Sequence, residues 1–336
     1  MSNIKHLLPP VARYFKANLH THTDISDGQL TPAQAKERYK ALGYQILSLT
    51  DHNVIVDHSD MNEPNFLMLT GIEINVNSPD YQAGFAGQTY HLNLIAKQPD
   101  NLWSPAKAFH TFPLALEYEQ KMHCEEMDLQ YSPDSINAMI AKANKMGFLV
   151  AYNHPTWSCQ SYPDYAPLKG LWAMELRNSD CIHAGCNENN SRVFKDLLNL
   201  GNHLYPLGTD DMHNLRDLGL SWIMVGAKEL QYDCVIDALE KGNFYMSCGP
   251  EISSLSVEDK ILKITCSDAQ EIVLDSDSRF HARIAADGAD WIRKAEFDLR
   301  TFIENASGNA RKYIHLTVTA PDGTYAATRA YYLSEL

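Results

Sequence analysis

Between Phe15 and about Gly208, short apolar runs alternate with segments whose apolar positions recur every three or four residues, the pattern of strands alternating with amphipathic helices. The runs Phe15 to Leu19, Ile46 to Leu49, Leu67 to Ile74, Leu92 to Ile95, Phe148 to Tyr152, Leu171 to Leu176 and Leu204 to Leu207 predict strands. Start and stop residues bracket the helices. Thr31, Pro32 and Gln34 resemble a capping box with proline at the first helical position; Ala35, Tyr39 and Leu42 make the buried stripe, and Gly43 ends it. Ser132, Pro133 and Ser135 open a second helix whose Ile136, Met139, Ile140 and Ala143 share a face before Gly147. Further helices run from about Asn190 to Gly201 and from Tyr232 to Lys241. About seven strands alternating with helices predict an α/β fold, either a barrel or a doubly wound sheet.

Beyond Pro250 the period falls to two. Ile252 to Cys266, Glu271 to Leu274, His281 to Ala285, Ile292 to Phe297, Lys312 to Thr319 and Tyr325 to Leu333 are alternating or β-branched runs, Asp322-Gly323 is a hairpin signal, and no helix is predicted. The chain thus divides into an α/β unit over residues 1–249 and a β-rich unit over residues 250–336, read as a β-sandwich. The stretch Gln98 to Gln130 has weak periodicity and reads as an insertion over one end of the barrel.

Composition narrows the function classes. Mean hydropathy is −0.32, and no run approaches the roughly 20 apolar residues of a membrane span. Met1 to Val11 has no apolar stretch of the kind a secretory leader needs, so the expected compartment is the cytoplasm. Net charge is −14, which argues against a surface built to grip nucleic acid or an anionic membrane, though metal ions reverse the sign of a field locally. The seven cysteines include no CxxC spacing, so they read as reduced thiols rather than a disulfide framework or a thiolate zinc site.

The histidines carry the chemistry. Residues i and i+2 of an extended segment point to one side, so His20 and His22 can reach one cation while Asp27 returns on the following loop. Thr50-Asp51-His52 ends the second strand, Gly71-Ile72-Glu73 the third, Asn153-His154-Pro155 the fifth, and Asp210-Asp211-Met212-His213 the seventh. In α/β barrels the loops at the carboxyl ends of the strands hold the chemistry, and five strands here deliver ligand-type side chains to that rim. His91 is out of step, because it begins its strand; either that strand runs against its neighbours or the Gly84 to Gly87 loop folds the chain back.

These motifs, in this order, resemble the PHP family, the polymerase and histidinol phosphatase domain of metal-dependent phosphoesterases. The likeness runs from about Phe15 to His213. It implies a distorted (β/α)7 barrel with a trinuclear site, to which the β-rich unit adds a smaller β-sandwich-like domain. It implies that His20, His22, Glu73 and Asp211 hold one metal, that Glu73 bridges to a second completed by His91 and His154, and that Asp27, His52 and His213 hold the third. Many relatives have histidine where Asp27 stands. A looser resemblance, carried by Asn178-Ser179-Asp180 and the segment Gly242 to Pro250, points to a branch with carbamate-hydrolysing members.

Two or three divalent ions, Mn, Fe or Zn, among imidazoles and carboxylates would attract an anion and lower the pKa of a bound water towards about 7, giving hydroxide without a Ser or Cys nucleophile. The expected function is therefore hydrolysis of a small phosphorylated metabolite, with Glu73 and Asp211 central to catalysis. His183 is the candidate general acid, Arg177 and then Arg192 the candidate oxyanion clamps, and Trp157 and Tyr162 candidate pocket walls. Asp51 and Asp210 are expected to orient imidazoles through their second ring nitrogen. The alternatives are a carbamate or carboxylic ester hydrolase using the same site, and a metal-stabilised binding domain without turnover. The expected partner is a small anionic substrate, with neither nucleic acid nor membrane; nothing in the sequence sets the oligomeric state.

Overall fold

The computed structural model describes residues 4–10, 13–82, 86–288, 290–303 and 311–336. Its frame is a run of strands in the order Tyr205–Thr209, Ala173–Asn178, Phe148–Tyr152, Thr89–Ala96, Leu67–Asn77, Ile46–Leu49 and Phe15–Asn18. All neighbours in this run are parallel except that Thr89–Ala96 is antiparallel to both strands beside it. This settles the position of His91: the strand runs against its neighbours, so its start lies on the rim where the others end. The two outermost strands of the run meet just past their ends in a parallel bridge, Thr21 with Met212.

The helices form where the caps and stripes predict. Thr31 accepts from Gln34 N while Gln34 Oε1 accepts from Thr31 N, and the helix Pro32–Ala41 buries Ala35 and Tyr39. In Pro133–Lys145 the Ser132 hydroxyl caps Ser135 N, Ile136, Met139, Ile140 and Ala143 are buried, and Gly147 at φ 88 ends the segment. Burying side chains of this kind contributes about 1.5–3 kcal/mol each. The Gln98 to Gln130 stretch holds a helix, Pro113–Glu119, and a two-residue strand pair, Trp103–Ser104 with His123–Cys124.

The β-rich tail is joined to this frame through hydrogen-bonded strands. Phe15–Asn18 also pairs with Trp222–Val225, which pairs with Phe244–Ser247, and the ladder continues through Tyr325–Ala327, Tyr313–Thr319 and Glu271–Ser276 to Ala282–Ala285. A second sheet, Ile4–His6, Ile252–Glu258, Ile261–Ala269 and Ile292–Asp298, shares one apolar core with this extension, including Leu255, Leu262, Ile264 and Phe297 with Ile272, Leu274, Leu316 and Val318. The architecture is thus mixed α/β with one large sheet. One short helix, Arg300–Ile303, stands where none is predicted; Asp298 accepts from Arg300 N, and a single turn leaves no periodicity to read. Among the described residues no helix is long and apolar enough to cross a membrane.

Candidate metal centre

The bridge that joins the first and last strands of the run also sets the motif residues together. Asp211 N donates to His20 O and His22 N to Met212 O, each at 3.0 Å. The loop carrying Asp27 turns at Gly28, where a Cβ would fall 2.4 Å from His22 O, so only glycine fits. Asp51 holds this loop: it accepts from Thr23 N at 2.7 Å, Thr23 Oγ1 at 2.8 Å and Ser26 Oγ at 2.7 Å. Asn53, His154 and Asp211 all have positive φ, at 53°, 23° and 50°. Backbone of this kind costs on the order of 1–3 kcal/mol per residue, and here it clusters at the rim.

Glu73, fully buried, is the hub. Its Oε1 lies 3.1 Å from His20 Nε2, 3.2 Å from His91 Nδ1 and 3.4 Å from His154 Nε2; its Oε2 lies 2.9 Å from His52 Nδ1 and 3.4 Å from His22 Nε2. Asp211 Oδ1 is 3.0 Å from Nε2 of both His20 and His22. Asp27 spans His52 Nε2 and His213 Nε2, both at 3.4 Å. All nine candidate ligands therefore meet. Their ligand atoms fall into overlapping groups: His20, His22 and Glu73; His20, His154 and Asp211; Glu73, His91 and His154; and His22, Asp27, His52 and His213.

The donor set fits divalent ions. Glu73 Oε2, Asp211 Oδ1, His52 Nδ1 and His91 Nδ1 are buried and, although close to one another, make no well-aligned hydrogen bond, and His20 Nε2 faces His22 Nε2 at 3.1 Å, an arrangement with at most one proton between two ring nitrogens. The opposite ring nitrogens are tied down: His20 Nδ1 to Glu175 at 2.6 Å, His154 Nδ1 to Ser158 Oγ at 3.1 Å, and His213 Nδ1 to Asp211 O at 2.9 Å. With those nitrogens engaged, Nε2 of each is the ring atom aimed inward, the position a metal ligand takes. Proton affinities follow the same field. Burial would push Glu73 up, but the imidazoles of His91, His20 and His52 hold it well below the usual carboxylate range. Burial lowers His22 to about 3 and His91 to about 4, whereas contacts with carboxylates overcome burial and raise His154 and His213 to about 9.

Glu175, a residue the motif reading passes over, anchors the first histidine. Its Oε1 also accepts from Thr209 Oγ1 at 2.6 Å, and its Oε2 accepts from His154 N and Asn178 Nδ2, both at 2.9 Å. This is the imidazole-orienting task expected of Asp51 and Asp210. Those two instead hold backbone: Asp51 the His22–Gly28 loop, and Asp210 the amides of Gly219, Leu220 and Ser221. The carboxylates next to ligands in sequence face the loops, because alternate residues leave the rim on opposite sides. Asn153 Nδ2 adds a bond to Glu73 Oε1 at 2.7 Å, and Asn178 Nδ2 one to Asp211 Oδ2 at 2.9 Å.

The cleft over this cluster has a volume of about 450 Å³ and is walled by Trp157, Tyr81, Asn75, Asp180 and Asn214 besides the candidate ligands. Trp157 sets its ring edge-on to His154, with centroids 5.0 Å apart. Phe112, from the insertion, stacks on His52 at 6.4 Å. Other expected contributors are elsewhere. Tyr162 is exposed, Arg192 is a surface residue paired with Asp196, and Arg177 donates from Nε to Ser221 Oγ at 3.0 Å and does not line the cleft. His183, on the helix Ser179–His183, is held by buried Asp217 at 3.0 Å; Asp180 of the same helix, not His183, forms the cleft wall. No Lys or Arg lines the cleft among the described residues.

Residues 18–150 match the model of the PHP domain. That segment of the chain therefore resembles a PHP domain. Over 66 residues it is 36% identical to a 5′-3′ exoribonuclease of Haemophilus influenzae, a match spanning 18% of this chain and 24% of that protein. Among solved structures it is similar to a two-domain protein of Bacteroides vulgatus described as containing a predicted PHP-like metal-dependent phosphoesterase, at 16% identity and TM-score 0.42 over 97% of this chain and 98% of that one. It is also similar to an amidohydrolase of Chromobacterium violaceum, at 15% identity and TM-score 0.38 over 60% of this chain and 89% of that one. A third likeness is to a lesion-specific endonuclease of Pyrococcus furiosus, at 12% identity and TM-score 0.40 over 68% of this chain and 56% of that one.

Proposed function

We propose that this protein is a cytoplasmic phosphoesterase that hydrolyses a small phosphorylated metabolite with the help of two or three divalent ions, Mn, Fe or Zn, held by His20, His22, Asp27, His52, Glu73, His91, His154, Asp211 and His213. The observation that carries this reading is the buried set of inward-facing imidazole nitrogens and unpartnered carboxylate oxygens around Glu73 and Asp211. When bound, such ions polarise a phosphoryl oxygen and make water a nucleophile at neutral pH. The chain's own residues do the rest. Glu73 and Asp211 supply the negative charge that collects the cations, Glu175 and Ser158 fix the rings of His20 and His154, and Trp157 and Phe112 pack against the rings of His154 and His52. His183, oriented by Asp217 on the helix whose Asp180 lines the cleft, is the proposed proton donor, passing its proton to the leaving oxygen through water. The acidic chain and the lack of basic side chains in the described cleft wall favour a small substrate over nucleic acid.

In this reading the seven-strand run is a distorted (β/α)7 barrel closed at the Thr21–Met212 bridge, and residues 250–336 are a β-sandwich-like domain packed on it. The wall's lack of a guanidinium or ammonium group also favours a second reading, hydrolysis of a carbamate or carboxylic ester, whose neutral carbonyl needs no cationic clamp. The test is to purify the protein without chelator, measure its transition metals, and assay phosphomonoesters, cyclic phosphodiesters, single-stranded RNA and carbamates with Mn, Zn or Fe supplied. Turnover of phosphomonoesters supports the first reading and turnover of carbamates alone the second. Full activity in a metal-free preparation refutes both.

A further inference from the structure

In phosphoryl transfer the negative charge is spread over three oxygens of the transferred group, and catalysis rests on the cations and donors placed around them. Arg177 and Arg192, the expected clamps, stand away from the metal cleft, and the described residues that line it include no Lys or Arg. Uncharged donors line the wall instead. Three of them have other tasks: Asn75 Nδ2 faces His91 Nε2 at 2.6 Å, the Asn214 side chain caps the turn Leu215–Asp217, and the Trp157 ring packs against His91 and His154. Tyr81 differs. Tyr90 and Tyr131 give their hydroxyls to Asp164, whereas the Tyr81 hydroxyl makes no hydrogen bond among the described residues and is open to solvent.

The backbone holds Tyr81 in place. It follows the strand Leu67–Asn77, which carries Glu73 and Asn75 and pairs with the strand of His91. Ser78 N donates to Gln88 O at 2.8 Å, Tyr81 N to Ser78 O at 3.0 Å and Gln82 N to Ala86 O at 2.7 Å. Ser78 Oγ accepts from Gln88 N at 2.9 Å and donates to Asp80 Oδ1 at 2.7 Å. Gly87, at φ 86°, approaches so closely that a Cβ would fall 2.3 Å from Tyr81 Cα. From this anchored position the half-buried side chain lines the metal cleft and also a second cavity of about 470 Å³, so it borders open space rather than a packed core. A phenol is protonated at neutral pH, and here burial and then the charge of Glu73 push it above its ordinary value of 10. The group is therefore a donor, and being uncharged it suffers none of the repulsion that a guanidinium would meet beside several dications.

We propose that Tyr81 is a catalytic residue of this centre, its O–H donating to a non-bridging oxygen of the substrate's phosphoryl group. No proton changes hands: the hydrogen stays on the phenol oxygen while the bond strengthens as charge collects on the acceptor. The proton for the leaving oxygen is left to His183. This assignment rests on the phosphoesterase reading above.

The experiment titrates inorganic phosphate and orthovanadate by calorimetry into full-length wild type and Tyr81→Phe, each loaded with Zn or Mn. Vanadate adopts the five-coordinate shape of the phosphoryl transition state, so a donor that acts there should matter more for it than for phosphate. Tyr81→Phe is expected to bind vanadate about tenfold or more weakly than wild type does, the worth of one hydrogen bond to a charged group, and to lose less for phosphate. Its metal content and unfolding temperature should match the wild type, because the hydroxyl has no partner in the protein. Equal vanadate affinity in the two proteins overturns the proposal and leaves the phosphoesterase reading standing. Equal losses for the two anions overturn the catalytic assignment, and loss of metal from Tyr81→Phe overturns it too, since the phenol would then serve the ligands. If neither anion binds metal-loaded wild type, the phosphoesterase reading itself fails and the proposal falls with it.

Discussion

Glu175→Gln tests whether the metal centre depends on a residue that touches no candidate metal position. The substitution keeps shape but replaces one acceptor oxygen with an NH2 group. Each oxygen of Glu175 now accepts two donors: His20 Nδ1 and Thr209 Oγ1 on one, His154 N and Asn178 Nδ2 on the other. Whichever way the amide turns, its NH2 faces groups that already carry hydrogens. If it faces His20, the ring loses the acceptor that keeps its proton on Nδ1, and Nε2 is no longer held as a lone pair. One charge-assisted hydrogen bond is worth about 1.5–3 kcal/mol, and substituting a group behind a metal-ligating histidine costs about 10–100-fold in affinity or activity. The expected result is therefore a loss of metal affinity of about 1.4–2.7 kcal/mol. The assay is metal content after dialysis against graded concentrations of free Zn or Mn, with unfolding temperature measured alongside. Asp210→Asn is the contrast: it loosens the Gly219–Ser221 amides and should lower stability with a smaller effect on metal affinity. Wild-type metal affinity in Glu175→Gln, with stability alone reduced, would refute the reasoning.

Glu73→Gln and Asp211→Asn should each reduce turnover by orders of magnitude with the fold retained, as read from circular dichroism and kcat, because each removes a negative charge that balances the cluster. Cys159→Ser and Cys186→Ser should stay active; an essential thiol in metal-loaded protein would point to covalent catalysis instead. Burial lowers His58 to about 4, with the charges of Asp60 and Asp57 offsetting only part of it, so the unfolded chain binds the extra proton between about pH 4 and 6.5 and stability falls as pH drops through that window. His58→Gln should flatten this slope, by up to about 3 kcal/mol between the two ends in denaturant titrations. Truncation after Pro250 removes the Tyr325–Ala327 partner of Phe244–Ser247 and the cover of Tyr245, so the unfolding temperature should drop while turnover per metal-loaded molecule is kept; the reverse outcome would make the tail part of the site.

What was legible in the sequence followed from local periodicity. The HxH pair, the strand-end carboxylates and the Ile136–Ala143 stripe are fixed by spacings of two or three to four residues, and each stands where those spacings place it. The orientation of Thr89–Ala96 was visible only as an anomaly. A histidine at the wrong end of its strand is a topological signal, and the antiparallel pairing resolves it. The join between the α/β frame and the tail was not visible, since strands 244–247 and 325–327 pair across a sequence distance that no local pattern records.

Two of the candidates around the site, Asp51 and Asp210, were chosen by adjacency along the chain. Asp51 and Asp210 each precede a ligand, and adjacency in an extended segment sends a side chain to the other face, towards the loop amides that both of them hold. Arg177 stands two residues from Glu175, but the ladder shifts register between Leu207 and Gly208, opposite that stretch, and the guanidinium reaches Ser221 rather than the cleft. Glu175 itself carried a usable signal. It is an acidic residue inside the apolar run Leu171 to Leu176, and a carboxylate in a strand buried on both faces must find several donors or destabilise the sheet. Four donors converge on it, two of them from His20 and His154, which binds the strand interior to the metal centre by the same requirement that makes such a residue rare in that position.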